Sequence, residues 1–418
     1  MPRMSLPKKA DSSKAVVLQE RFVVSFDHVV GEGSFGKVCK GLDRQTNKEV
    51  AIKLFNTYPG EPEWEKTKLS FQDTIETMRK LASSRCTNQK AANARGRRIS
   101  FNCDVITADS ANQNGGTALP IMEHMNLSEC FVKLIAFSGG SDGVPGLDIE
   151  ADRLYIVFEL GSESLEDCLS HHSQSGTTLS VDELRCVHWC LVSIVCGLHA
   201  AGYVHMDIKP GNIVRFGGVW KLIDFDGAVP AGTTLARDRL LATPCYMAPE
   251  AAKMLSEEAS HMEVSRLMDV WSVGMCAMEA IFLQPVLMPW YIEWSNETGD
   301  TTKYMKWLAD YTAAPAVMDA DMCQAMNDID PDMCSLLKCM LEKDPSRRSD
   351  IAECLVHSWF APMRKQLWKR LDEKHSGGQT MSFTSSVGSV SSCCSRGARP
   401  SLFGRRALAQ HSKACSMM

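Results

Sequence analysis

The stretch Tyr203-Val204-His205-Met206-Asp207-Ile208-Lys209-Pro210-Gly211-Asn212-Ile213-Val214, with Ile223-Asp224-Phe225-Asp226-Gly227 a short apolar hairpin later, holds residue types that suit phosphoryl transfer from a metal-bound nucleotide. A carboxylate such as Asp207 can orient an attacking hydroxyl and accept its proton, and Lys209 can neutralise charge on the moving group. Asn212 and Asp224 offer the hard oxygen ligands that Mg²⁺ takes. Either piece alone could be a polar loop that holds its turns through Asp, Pro-Gly and Asn. Further upstream, Val30-Gly31-Glu32-Gly33-Ser34-Phe35-Gly36-Lys37-Val38 sets three glycines between β-type runs, and Glu49-Val50-Ala51-Ile52-Lys53-Leu54 follows. Such a hairpin can close its backbone over a triphosphate with no Cβ in the way. Ordinary hairpins also use Gly, so the weight comes from the lysine one strand later.

These residues need strands and helices to hold them. Phe22 to Phe26 and the runs around Val38 and Val50 suit strands. From Trp64 to Leu81 the pattern turns helical, with Phe71, Ile75, Met78 and Leu81 on one face. Phe131–Phe137 and Leu154–Gly161 are expected as two further strands. Val181–Ala200 is expected as a helix whose Leu184, Val187, Leu191, Ile194, Val195 and Leu198 face a core beneath the Asp207 loop.

The motifs from Gly31 to Arg348 resemble, in order and spacing, those of the eukaryotic protein kinases of Ser/Thr type. The resemblance implies an α+β, bilobal protein kinase fold, with a small β-rich N-lobe and a larger, mainly helical C-lobe. It implies ATP and Mg²⁺ as cofactors and Ser/Thr hydroxyls of protein substrates as acceptors. By resemblance, Asp207, Lys209 and Lys53 are catalytic. ATP would be bound by Val30, Gly31, Glu32, Gly33, Ser34, Phe35, Gly36, Lys37, Val38, Ala51, Lys53, Glu159, Leu160, Asn212 and Asp224, with Asn212 and Asp224 on the metal. Phe158 would be the gatekeeper and Glu159 to Gly161 the hinge. Asp224 to Glu250 would be the activation segment, with Thr243 bonding both Asp207 and Lys209, and Arg348 would pair with Glu250.

Two departures stand out: Met206 occupies the usual place of Arg, and Asp226 that of Gly. Met206 cannot pair with a phosphorylated activation segment, so activity should depend little on phosphorylation of Thr233 or Thr234. Asp226 should restrict the backbone flip that Gly permits and so favour the metal-ready form. The helix residue that partners Lys53 stays open among Glu76, Asp73 and an earlier Glu, because the family's register falls on Thr74. Glu76 lies roughly 140° round from Phe71, off the apolar face. The alternative to an active enzyme is a pseudokinase, a nucleotide-binding scaffold or regulator.

The chain has 418 residues, ample for a large core, and 44% of them are hydrophobic and 23% charged. A formal net charge of -5 argues against a general nucleic-acid binder. The 17 cysteines lack paired metal-ligand spacing and suit reduced core residues in a reducing, cytoplasmic compartment. Met1-Pro2-Arg3-Met4 shows neither a signal-peptide core nor a myristoylation glycine, and the apolar stretch around Met268 to Met288 is too interrupted to span a bilayer. Residues 1–20 are expected to be a flexible N-terminus. By the resemblance, residues 21–365 are expected to form the kinase domain, with an N-lobe at 21–160 carrying an insertion near 86–120 and a C-lobe at 161–365. Residues 366–418 are expected to be a Ser/Arg-rich disordered tail. In the insertion, Arg97-Arg98-Ile99-Ser100 resembles a basophilic phosphorylation site. In the tail, Cys415-Ser416-Met417-Met418 is the arrangement a farnesyl transferase reads, with the nearby arginines and Cys393-Cys394 as second signals for membrane association.

Overall fold

Val50, Ile52 and Leu54 alternate with Ala51, Lys53 and Phe55, so one face of their strand is apolar and the other carries the lysine. The computed structural model describes residues 16–33, 36–83, 129–140, 143–295, 300–313 and 316–375, the side chains of 369–375 excepted. The chain divides into two units. The first holds an antiparallel six-stranded sheet in the order β1-β2-β3-β4-β6-β5. Its strands are β1 (Val16–Leu18), β2 (Phe22–Gly33), β3 (Gly36–Asp43), β4 (Lys48–Phe55), β5 (Leu134–Phe137) and β6 (Tyr155–Glu159). Helix α1 (Trp64–Ser83) follows β4. One apolar cluster gathers Leu18, Phe22, Val24, Cys39, Val50, Ile52, Leu54, Tyr155 and Val157. A second packs Phe55, Leu154 and Ile156 against Trp64, Phe71 and Ile75 of α1. Ala51 and Lys53 point away from the first cluster.

Several expected boundaries move. Residues 16–18 form β1, inside the N-terminus expected to be flexible, because Leu18 is buried against the sheet and Arg21 forks onto the Asp43 carboxylate at 2.8 and 2.7 Å. The strand expected over Phe131–Phe137 shrinks to Leu134–Phe137, Phe131 making a single bridge to Leu222, and the next strand ends at Glu159. The final helix runs to His375, past the expected domain end at 365. The 86–120 insertion, Ser34, Phe35, Ser100, Cys393, Cys394 and Cys415 lie outside the described residues.

The second unit is mostly helical. Its helices are α2 (Leu165–Ser175), α3 (Val181–Ala200), α4 (Pro249–Ser256), α5 (Arg266–Phe282), α6 (Met288–Trp294), α7 (Thr302–Ala309), α8 (Ala320–Ile329), α9 (Pro331–Met340), α10 (Ile351–Val356) and α11 (Ala361–His375). Short hairpins accompany them: β7 (Tyr203–Val204) with β10 (Val229–Pro230), β8 (Ile213–Phe216) with β9 (Val219–Leu222), and β11 (Thr234–Ala236) with β12 (His261–Glu263). Capping boxes start α2 at Ser164 and Asp167, and α3 at Ser180 and Glu183. Helix α5 is buried from Met268 to Ile281, as an apolar-all-round helix should be. Among the described residues, no helix is long and apolar enough to cross a membrane.

His188 ties α3 to α5, Nε2 donating to Ala277 O at 3.2 Å, while its buried Nδ1 has no partner. Burial pushes this imidazole down from 6.5 to about 4. Between those values the unfolded chain takes a proton that the folded chain refuses, so stability falls as pH drops below the unfolded value. Urea unfolding of the wild type should lose about 2 kcal/mol more than His188→Gln between pH 7 and pH 5. Equal losses would show that His188 is not the group responsible.

Candidate active site

The loop after β7 is fixed from below by one carboxylate. Asp269 of α5, fully buried, accepts from His205 N at 2.8 Å, Met206 N at 3.0 Å and His199 Nε2 at 2.9 Å. Those bonds hold Met206 at φ 73°, a conformation that L side chains rarely adopt and that surrounding structure must enforce. The Met206 side chain is buried, and Ile208 beside it is fully buried. Between these inward-turned side chains, Asp207 is left part-exposed.

Around Asp207 the polar groups form a closed network. Thr243 donates to its Oδ1 from both Oγ1 (2.6 Å) and N (2.9 Å). Lys209 Nζ lies 2.8 Å from Oδ2 and donates to Thr243 Oγ1 at 2.9 Å. Asn212 Nδ2 donates to Asp207 O at 2.8 Å and reaches Oδ2 at 3.3 Å. With its NH₂ so engaged, the Asn212 amide oxygen is left as an acceptor. The hairpin β8–β9 then returns the chain so that Ile223 N donates to Asn212 O at 3.0 Å, which sets Asp224 next in sequence to that contact. Asp224 sits at φ 61° and ψ 71°, and its side chain is exposed. An amide oxygen and a carboxylate match the donor set Mg²⁺ prefers.

Phe225 is buried edge-on to His205 and Phe131, at ring distances of 5.4 and 5.8 Å. Asp226 lies in the short turn Phe225–Gly227 and is not among the positive-φ residues, so an L side chain at this place costs nothing in the conformation seen.

The segment after β11 is tied down at Thr243 to Glu250. Tyr246 OH donates to Glu279 Oε2 at 2.5 Å, Ser272 Oγ to Tyr246 O at 2.8 Å, and Tyr304 OH to Pro244 O at 2.9 Å. Burial and the Glu279 charge raise the Tyr246 hydroxyl well above its ordinary value, so it stays a donor. Arg348 forks onto Glu250 at 2.8 and 2.9 Å, as the sequence implied.

Within the first unit, the register sets Val38 opposite Lys53, Lys40 opposite Ala51, and Ala51 opposite Phe158. The hairpin pairs Gly31 with Val38, Glu32 with Lys37 and Gly33 with Gly36, bringing the described part of the glycine stretch next to β3. Val30 and Glu32 are exposed. The glycines differ in what fixes them. A Cβ on Gly36 would stand 1.9 Å from Leu54 O, so the sheet itself demands glycine there. At Gly33 a Cβ would meet nothing within 4 Å, so no described neighbour explains it. The Glu159 side chain turns to the residue before β5, its Oε1 accepting from Lys133 N at 2.8 Å, and Leu160 follows it half-buried. Lys53 is buried, with Nζ 5.8 Å from the Phe55 ring. Of its suggested partners, Glu76 is an exposed surface residue paired with Lys80 at 2.6 Å. Thr74, in the family's register, is buried and donates to Ser70 O at 2.8 Å. Asp269 and His199 were not foreseen as supports of the loop; a His and an Asp separated by many residues give no local pattern.

A loop carrying Asp, Lys and Asn, a second Asp after a hairpin, and a pinned segment ending in Ala-Pro-Glu define a protein kinase domain. The family described as protein kinase domain matches residues 119–360, more than half of the chain, and the chain belongs to it. The glycine hairpin and Lys53 lie before the matched region. The chain is similar to the serine/threonine-protein kinase MPS1 of Saccharomyces cerevisiae, 28% identical over 227 residues, covering 51% of this chain and 28% of that protein. It is similar to the dual specificity protein kinase TTK of Mus musculus, 27% identical over 220 residues, covering 51% of this chain and 23% of that protein. A third relative, the Homo sapiens mitogen-activated protein kinase 13, is 24% identical over 370 residues, covering 85% of this chain and 83% of that protein. The matched region spans about a quarter of the length of the first two.

Every N–H of the Arg348 guanidinium is used, since Nη1 also donates to Leu267 O, Nη2 to Lys343 O and Nε to Glu342 O. A lysine cannot reproduce that fork. Arg348→Lys should destabilise the chain by about 3 kcal/mol in denaturant unfolding, because it strands the Glu250 carboxylate and several carbonyls. An unchanged midpoint would mean that the pair holds nothing.

Proposed function

We propose that this chain is an ATP-dependent protein kinase that moves the γ-phosphoryl group of ATP to Ser/Thr hydroxyls of protein substrates. The observation that carries the reading is the triangle of Asp207, Lys209 and Thr243. Asp207 would hold the acceptor hydroxyl in line and take its proton. Lys209, already within bonding distance of Asp207 and Thr243, would balance negative charge as it builds on the transferred group. Thr243 bonds to both and so ties their positions together. Supporting it, the relatives named above are described as serine/threonine-protein or dual specificity kinases.

Lys53, Ala51, Val38 and the glycine hairpin of the first unit are assigned to the nucleotide, with Glu159 and Leu160 at its base. Asn212 and Asp224 are assigned to Mg²⁺, on the strength of their oxygen donors. The metal, when bound, supplies charge neutralisation along the phosphates. Met206 in place of Arg and Asp226 in place of Gly are part of the proposal as features of an enzyme whose activation segment is ordered without a phosphate. The alternative, a pseudokinase scaffold, has less support, because such a module has no need to keep Asp207, Lys209 and Asn212 in one bonded network. A cytoplasmic setting belongs to the same proposal, and the twelve described cysteines, all free thiols, suit it. Membrane attachment through Cys415 is an added element, read by comparing fractionation of the intact chain with Cys415→Ser.

Purified chain with radiolabelled ATP and a generic basic protein should transfer label, and Lys53→Met, Asp207→Asn and Asp224→Asn should each lower the rate by about a hundredfold or more with circular dichroism unchanged. Transfer that persists in all three folded variants would overturn the assignment.

A further inference from the structure

Residues 232–237 of the activation segment are joined edge to edge with residues 260–264. β11 pairs with β12 through Thr234↔Glu263, Leu235↔Met262 and Ala236↔His261. The contact continues past both ends: Gly232 N donates to Val264 O, Val264 N to Thr233 O, and Arg237 N to Ser260 O, each at 2.9 Å. Leu235 is buried beneath the ladder. This is main-chain anchoring, complete with the hydroxyls unmodified. The side chain next to Asp207 that could have received a phosphate is Met206, apolar and buried.

Directly opposed residues on antiparallel strands project from the same face with Cβ atoms about 5 Å apart. The exposed Thr234 hydroxyl therefore looks across the ladder at the exposed Glu263 carboxylate. His261, diagonal to Thr234 on that face, has Nδ1 bonded to Ser260 Oγ at 2.9 Å. The cations of the adjoining chain include Arg237 and Arg239, in the turn after β11, and Arg266, at the start of α5.

We propose that Thr234 is an inhibitory phosphorylation site, whose phosphate loosens the β11–β12 ladder and lowers transfer. In the modifying step, catalysed by this or another protein kinase, Thr234 Oγ1 bonds to the γ-phosphorus of ATP. The bond from that phosphorus to ADP breaks, and the hydroxyl proton goes to the modifying enzyme's base. The product sets a near-dianion against Glu263, where like charges directly opposed disfavour the pair. With Met206 buried, phosphate is still not needed for activity, but its effect at Thr234 is not the small one that the sequence led one to expect: it lowers transfer, reversing the usual sign of activation-segment phosphorylation. The effect on activity rests on the kinase reading above; the loosening of the ladder does not.

The full chain carrying phosphothreonine at 234, the variants Thr234→Val and Thr234→Glu, and the double variant Thr234→Glu/Glu263→Lys are compared by amide hydrogen exchange over 232–237 and 260–264. The same proteins are assayed for kcat/KM on a generic protein substrate. Phosphothreonine should speed exchange in both segments by about tenfold and lower kcat/KM by about three- to tenfold, with Thr234→Glu showing a smaller change in the same direction. Thr234→Val should match the wild type, and Glu263→Lys should return the double variant to wild-type exchange. Slower exchange or higher activity on phosphorylation, the outcome if Arg237 or Arg266 captures the phosphate, would overturn the proposal, as would no change in exchange. A wild type without transfer, yet with the exchange pattern as expected, would sink the kinase reading and leave the ladder effect standing.

Discussion

The buried carboxylate of Asp269 holds the loop that carries Asp207 in a shape the loop would not take alone. Its oxygens accept from two consecutive backbone N–H groups, His205 and Met206, and from the His199 ring. Accepting from adjacent amides forces the chain to turn sharply, and Met206 takes a positive φ as a result. The turn buries Met206 and Ile208 and leaves Asp207 between them facing the polar side. Once Asp207 is so placed, Thr243 and Lys209 can bond to it, and the segment carrying Thr243 becomes part of the same structure. A carboxylate within α5, far from the loop in sequence, therefore decides whether Asp207, Lys209 and Thr243 meet.

That helix also anchors the segment that would face a protein substrate. Ser272 and Glu279 hold Tyr246 by its carbonyl and its hydroxyl, and Arg348 clamps Glu250 while bonding to Leu267 O at the start of the helix. Met206, apolar and buried, offers no cation to a phosphate on this segment, and the β11–β12 ladder fastens part of it through the main chain. The two features fit together: a segment fastened by backbone bonds needs no guanidinium at position 206.

Much of the site was legible because its chemistry is local. Asp207, Lys209 and Asn212 fall within one turn-rich stretch, and only such residue types at such spacing bring a base, a cation and an oxygen donor together. The α1 helix was legible from its period, and the angle of Glu76 off the apolar face already indicated the exposed position where it pairs with Lys80. Contacts between distant residues were legible only where the resemblance supplied them, as for Arg348 with Glu250 and Thr243 with Asp207. Nothing near Asp269 marks it as the support of a loop, and nothing in Thr234-Leu235-Ala236 announces a partner at 261–263. Gly36 was legible as part of a glycine pattern, but its cause differs, since the Leu54 carbonyl leaves no room for a Cβ. Strand β1 was missed because three residues with one buried side chain are too few to show alternation. The last helix extended past the expected boundary because its sequence from Arg364 is mostly charged and carries little apolar period.

The dependence on Asp269 can be measured directly. Asp269→Asn keeps the size of the side chain but turns one acceptor into a donor, which then faces a backbone N–H or the His199 ring with no acceptor. Single-turnover transfer from ATP to a protein substrate, with nucleotide affinity measured on the same sample, separates loop geometry from binding. The account predicts a rate lower by roughly a hundredfold with nucleotide affinity nearly unchanged, because Asp207 is displaced while the nucleotide-holding residues of the first unit are untouched. A folded Asp269→Asn protein that transfers at the wild-type rate would contradict it.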